Sequence, residues 1–282
     1  MVEYNSLIIS VLQGILTGML IPETFPVVTV FFAVFFTMFI IKYLFGGFSQ
    51  AWINPVVFVI AVLWFVGGNL FPDFLVTTDF LCSRNPSQLL IDSGVFPISG
   101  FDSSVTETLN NTVFDLFKVS IPEGYVSLFW DTHSVIPAFR FNFITLLSSI
   151  ILFGTDLIKL IIPSTFLVVY LVLVRFLSPL FCNGIPYQGD MLLAMLTSGT
   201  LFYATFVLQS HGTLPISVVG KVLYGVFAGI FAFVITGCGT SSTGMAFTVL
   251  FANIFSLLIQ KWEDKTNKRK LQKLIASIEN EN

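Results

Sequence analysis

Eight apolar runs constrain this chain more than any other feature. They occupy residues 6–21, 27–41, 56–71, 141–155, 161–176, 191–208, 218–235 and 245–260, and only Arg175 and Lys221 bring a charge into them. Charged residues make up 10% of the 282, against about 25% in an ordinary soluble domain. Lipid is therefore the expected solvent, in keeping with a mean hydropathy of +0.89. Backbone amides have no water to bond in lipid, so the runs are expected to be helices. Several are shorter than the ~20 residues of a straight span. Flanking residues must extend those runs, or some of them are half-helices. The expected fold class is an all-α polytopic membrane protein of about eight transmembrane segments.

Charge sets the expected orientation. Lys261, Lys265, Lys268, Arg269, Lys270 and Lys273 follow the last run, which puts that end in the cytoplasm. Eight spans then return the N-terminus to the same side, together with Lys42, Lys159 and Lys221. Residues 1–5 lack the basic stretch and small-residue cleavage site of a removable leader. A net charge of −3 without a basic patch gives no support to a nucleic-acid partner. Cys82, Cys182 and Cys238 lack metal or redox spacing.

The runs fall into two inverted three-helix units. Residues 6–71 read as helix, proline turn (21–26), helix, glycine turn (45–50), helix. Residues 191–260 repeat the scheme from the opposite side, with Gly212-Thr213-Leu214-Pro215 and Gly237-Cys238-Gly239-Thr240 as the turns. Inverted repeats with Gly/Pro-interrupted segments in matching places point to an ion or substrate path at their interface; chance recurrence of Gly and Pro in loops is the other reading. The expected divisions are a first membrane unit (1–71), one long outer loop (72–140), a five-helix unit (141–260) and a basic tail (261–282). In the loop, Ser104 and Glu107 have capping-box spacing, and Val105, Leu109, Val113, Leu116 and Phe117 follow at helical spacing. An amphipathic helix on the membrane face or a neighbouring subunit is expected there. In the tail Leu271, Leu274, Ile275 and Ile278 leave two readings open, a short helix on the inner surface or a solvated segment.

The order Lys42, Phe45-Gly46-Gly47, Gln50, Asn54-Pro55 resembles the RnfD/NqrB family, which holds one membrane subunit of Rnf complexes and one of sodium-pumping NADH:quinone reductases. Ile21-Pro22-Glu23-Thr24-Phe25-Pro26 is similar to that family's proline turn, and the stretch from Gly244 to Asn253 to its final helix. The resemblance implies ten helices arranged five plus five, with this sequence beginning at the third. It implies a membrane subunit of a redox-driven ion pump in the bacterial inner membrane. Its partners would be other membrane subunits of the complex, Na+ or H+, and the bilayer.

The resemblance also implies FMN in the outer loop, esterified through phosphate to the last residue of a Ser/Thr-Gly-Ala-Ser/Thr motif. Asp92-Ser93-Gly94-Val95-Phe96-Pro97 is the best match, but Phe96 has no hydroxyl for the ester. FMN or another flavin is thus expected to be non-covalent if present, with Ser93, Gly94, Asp131 and Thr132 as candidate contacts. Asp131-Thr132 stands near the family's Gly-Glu-Thr-Ser-like element, although a solvated helix cap fits it as well. Two acidic family positions are filled here by Phe206 and Thr243. That leaves Gly46, Gly47, Asn54 and Asn253 as candidates for the ion path or repeat interface; the two asparagines fit interhelical hydrogen bonding equally well. No catalytic residue and no metal site is proposed. A non-redox permease and a scaffold subunit without cofactor are the alternative functions.

Overall fold

A computed structural model describes residues 2–44, 52–73, 90, 92, 94, 96–181, 187, 189–210, 212, 214–236 and 241–281. All regular structure among them is helical. The long elements are α1 (Val2–Leu20), α2 (Val27–Leu44), α3 (Pro55–Gly67), α7 (Asn142–Gly154), α8 (Ile161–Phe181), α11 (Val218–Ile235) and α12 (Gly244–Glu281). Short elements fill the segment between α3 and α7 and the sixth apolar run: α4 (Asp102–Leu109), α5 (Tyr125–Trp130), α6 (Pro137–Arg140), α9 (Met191–Leu196) and α10 (Thr200–Phe202). Three stretches, Ile161–Phe181, Val218–Ile235 and Gly244–Lys273, are long and apolar enough to cross a membrane. Ile8–Leu20, Val27–Ile41, Pro55–Leu70 and Asn142–Gly154 are shorter apolar helices. The eight runs thus take the form of seven helices and one interrupted segment.

Sequence explains the ends. Asn54 accepts from the Val56 amide at 3.0 Å and Pro55 takes the first helical position, so α3 starts with a cap and a preset φ. The Ser217 hydroxyl accepts from Gly220 N (2.9 Å) at α11, and Asp190 Oδ1 from Leu193 N (2.9 Å) at α9. Ser241 Oγ accepts from Gly244 N (3.0 Å) where α12 begins.

The core is a chain of helix contacts. α8 lies along α11, α11 along α12, and α12 against α3, which also touches α1 and α2. Where α8 and α11 meet, a Cβ on Gly225 would overlap the Thr165 hydroxyl, so glycine is needed there. Between α11 and α12, Phe227 and Phe231 pack on Phe255 with centroids 5.0 and 4.9 Å apart. Trp64 of α3 meets Phe247 of α12 edge to face at 5.3 Å. The outer side of α2 is an exposed ladder of Phe31, Phe35 and Phe39, a surface suited to lipid.

Many buried hydroxyls bond their own helix. Thr17, Thr145, Thr205, Thr236 and Thr248 each donate to the carbonyl four residues earlier. Such bonds satisfy a hydroxyl in apolar surroundings without a second helix.

One expectation needs correction. α4 begins at Asp102, not at Ser104, whose hydroxyl donates to Phe101 O. The reason is the Asp102 carboxylate. It turns inward and accepts from Gly124 N (2.8 Å), Ser127 N (2.6 Å), Ser127 Oγ (2.5 Å) and Thr106 Oγ1 (3.1 Å). The helical stretch itself continues as a π-helical turn (Asn110–Phe114) and a 3-10 turn (Asp115–Phe117). Beyond residue 260 α12 continues without a break to Glu281, 38 residues in all, so the basic segment prolongs the last apolar helix.

Candidate functional site

The sixth apolar run is interrupted where hydroxyl residues cluster. α9 stops at Leu196, Gly199 adopts φ +66°, and α10 leads into a π-helical turn (Tyr203–Val207). A Cβ at Gly199 would overlap the Phe139 ring, so only glycine fits this bend. The carbonyls of the broken turn need other donors. Thr197 Oγ1 reaches Leu193 O (2.6 Å), Thr200 Oγ1 reaches Ala194 O (2.9 Å), and Asn142 Nδ2 reaches Leu196 O (2.7 Å). Ser198 Oγ accepts from Ser241 N at 2.8 Å, which ties the break to the start of α12.

Both candidate asparagines point to the far end of the same segment. Asn54, 1% exposed, donates through Nδ2 to Val207 O at 2.8 Å. The neighbouring carbonyl, Leu208 O, accepts from Tyr224 OH at 3.3 Å, and that hydroxyl lies 3.2 Å from Asn253 Oδ1. Asn253 is fully buried in the interior of α12, and its Nδ2 has no partner among the described residues. Two consecutive carbonyls, 207 and 208, are therefore gripped from the α3 side and from the α11–α12 side. Gly46 and Gly47 lie outside the described residues, as do His211, the three cysteines and the second glycine turn.

One layer further on, Glu263 closes α12 onto the residues before α11. Its carboxylate accepts from Ile216 N and Ser217 N, both at 3.0 Å, and from the Ser217 hydroxyl. Gln260 Nε2 adds a bond to Leu214 O at 3.0 Å.

The outer segment holds the flavin candidates. Gly94 takes φ +78°, and Ser93 lies outside the described residues. Phe96 is buried in a small core with Leu90, Leu128, Leu193, Leu196 and Leu201. This position therefore serves packing, and a side chain without a hydroxyl does not fit the covalent flavin that the resemblance implies. Asp131 and Thr132 are both engaged within one closed loop, residues 131–140. Arg140 clasps Asp131 through Nε (3.0 and 3.1 Å) and Nη2 (3.0 Å), and Asp131 Oδ1 accepts from His133 N at 2.7 Å. Thr132 donates to Phe139 O at 2.9 Å. Burial alone would raise the Asp131 pKa, but Arg140 and the His133 amide together hold the carboxyl below its usual 3.8. Asp131 does not cap α7, whose first flanking residue is Phe141.

The two family acid positions carry no carboxylate. Phe206 packs on Phe202 at 5.0 Å, and Thr243 is buried beside Ser241. Sequence reasoning missed the break at residues 197–199, Asn142, Asp190 and Glu263. Thr197-Ser198-Gly199-Thr200 inside an apolar run was the available signal for the break. No group of three or more His, Cys, Asp or Glu suited to a metal occurs among the described residues.

Comparison with known proteins returns a family and several relatives. The model of the NQR2, RnfD, RnfE family matches residues 5–269. The relatives are proteins named as the D component of an ion-translocating oxidoreductase complex. The chain is 27% identical over 238 residues to the one from Vibrio cholerae serotype O1 (strain M66-2), covering 78% of this chain and 66% of that protein. It is 27% identical over 244 residues to the one from Vibrio vulnificus (strain YJ016), covering 78% of this chain and 67% of the relative. The Sodalis glossinidius (strain morsitans) protein of the same name is 26% identical over 236 residues, at 79% and 66% coverage. The chain thus spans about two thirds of the length of these relatives. With a match along nearly its whole length, the chain belongs to the NQR2, RnfD, RnfE family.

Proposed function

We propose that this chain is a membrane subunit of an ion-translocating oxidoreductase complex of Rnf or Nqr type, and that the interrupted sixth segment lines its Na+ or H+ path. The curated relatives carry the name of such a subunit. The observation that carries the path assignment is the pair of carbonyls at 207 and 208, held by Asn54 and by Tyr224 with Asn253. Irregular backbone at membrane depth is tolerated where it faces protein or a polar cavity, and unwound carbonyls are the groups that coordinate small cations there.

About eight spans, in two inverted three-helix units with a long outer loop, make up the proposed arrangement in the inner membrane. Both termini face the cytoplasm. The side-chain cross-links fit this sidedness. Thr24 to Leu70 and Ser198 to Ser241 lie toward the loop; Asn54 to Val207 and Glu263 to Ser217 lie toward the basic tail. Any flavin is bound non-covalently, in contact with the outer segment; the partners are the other membrane subunits. A scaffold subunit without flavin is the second reading, favoured by the burial of Phe96.

The test is redox-driven ion uptake in vesicles holding the complete complex. Asn54→Leu is expected to assemble and to lower uptake; full uptake by an assembled Asn54→Leu complex would overturn the path assignment. Flavin fluorescence surviving on a denaturing gel would overturn non-covalent binding.

A further inference from the structure

We infer that a cavity in the outer segment receives a phospholipid acyl chain from the leaflet on that side of the membrane. The cavity holds about 180 Å³. Leu109, Phe114, Ile121 and Phe129 line it together with Met195 and Leu196 of α9. Three polar side chains also border it, and each bonds elsewhere. Thr106 Oγ1 donates to Asp102. Asn110 donates to Ile121 O and accepts from Ile121 N, both at 2.9 Å. Tyr125 donates to Asp190. A ring system edged with nitrogens and carbonyls would lose its hydrogen bonds with water here and find no replacements. A hydrocarbon chain loses none.

The cavity lining packs against an exposed apolar surface suited to lipid. Phe129 meets Phe143 edge to face at 5.7 Å, and Phe143 begins the exposed side of α7 that continues through Leu147, Ile150 and Ile151. On the other flank Leu116 and Phe117 are 81% and 71% exposed, an apolar rim that water alone would not favour. The π-helical turn of Asn110–Phe114 adds a residue to the helix beside the cavity and places Phe114 in its wall. An acyl chain lying along α7 can turn at Phe143 and end on Met195, which fixes the outer segment to the bilayer and to α9. This inference rests on the membrane placement proposed above, and not on the ion path.

The full-length protein in phosphatidylethanolamine–phosphatidylglycerol vesicles tests it, with a diazirine group near the end of one acyl chain. After irradiation, peptide mass spectrometry is expected to find adducts at Met195 and Phe114 as well as on residues 143–151. Leu109→Trp fills the cavity and should cut the Met195 adduct about tenfold while leaving labelling of residues 143–151 unchanged. Wild-type adducts confined to residues 143–151 would overturn the proposal and leave the membrane placement intact. Met195 labelling that survives Leu109→Trp would overturn it as well.

Discussion

Asn54 has two separable tasks, and substitution can divide them. Its Oδ1 caps α3 through Val56 N, and its Nδ2 reaches 153 residues along the chain to Val207 O. Asn54→Ala removes both. Loss of the cap costs about 1 kcal/mol. Loss of the donor to a buried carbonyl costs about 1–3 kcal/mol. The sum, about 2–4 kcal/mol, corresponds to a melting shift on the order of 5–10 °C for a chain of this size. Asn54→Ser keeps a capping oxygen but is too short to span the second bond, so it should fall between the two. Thermal unfolding in detergent micelles, followed by intrinsic fluorescence and repeated at two scan rates, gives the order wild type, Ser, Ala. If Asn54→Ala melts within about 1 °C of wild type, far inside the expected shift, the cross-link carries no stability and the two units are held together by apolar packing alone.

Asn253 should behave in the opposite way. Its buried Nδ2 has no partner among the described residues, so Asn253→Leu is expected to leave the melting temperature unchanged or raise it, while lowering ion uptake; a clear drop in melting temperature would show the amide to be structural. Glu263→Ala removes the acceptor of three donors near the start of α11 and is expected to cost about 2–4 kcal/mol, read as faster hydrogen exchange at Ile216 and Ser217; unchanged exchange refutes the clasp. The Asp131–Arg140 clasp has a pH signature. A carboxyl held below 3.8 contributes its full share above that value and loses it as pH falls through the lower folded value. The Arg140 Nε–H resonance should therefore persist down to pH 3.8 and disappear only below it; disappearance near neutral pH would contradict the geometry.

The sequence revealed most where periodic apolar runs and caps coincide. Asn54-Pro55 marked the start of α3, and Ser217 and Asp190 sit where capping residues belong. The family resemblance, carried by residues 42–55 and 244–253, agrees with the match along residues 5–269. What remained illegible depends on long-range partners. Nothing local says that Glu263 turns inward while Lys261 and Lys265 beside it face solvent, because the donors lie about 46 residues earlier. Asn142 reads as an ordinary first helical residue until the broken turn at 196 supplies its acceptor. Ser104 failed as a cap because Asp102 had buried partners at 124 and 127, a tertiary choice over a local one.

The threonines that bond their own helices have a mechanical consequence. A hydroxyl closed on the carbonyl four residues back exerts no directional pull on a neighbouring helix, so it neither locks a register nor resists a small slide. Thr17 on α1 and Thr236 just past the end of α11 are silent in this sense. Rigidity then comes from a few pegs: Asn54 at 207, Ser198 at 241, Asn142 at 196 and Glu263 at 217. The pegs join the interrupted segment, or the turn that follows it, to three helices: α3, α7 and α12. A shear of about 1–2 Å between smooth helix faces is the ordinary scale of helix movement in switching proteins. In this fold such a shear cannot pass unnoticed by the carbonyls at 207 and 208, because the pegs convert sliding of α3 or α12 into strain on a stretch of backbone that has already left the α-helical pattern.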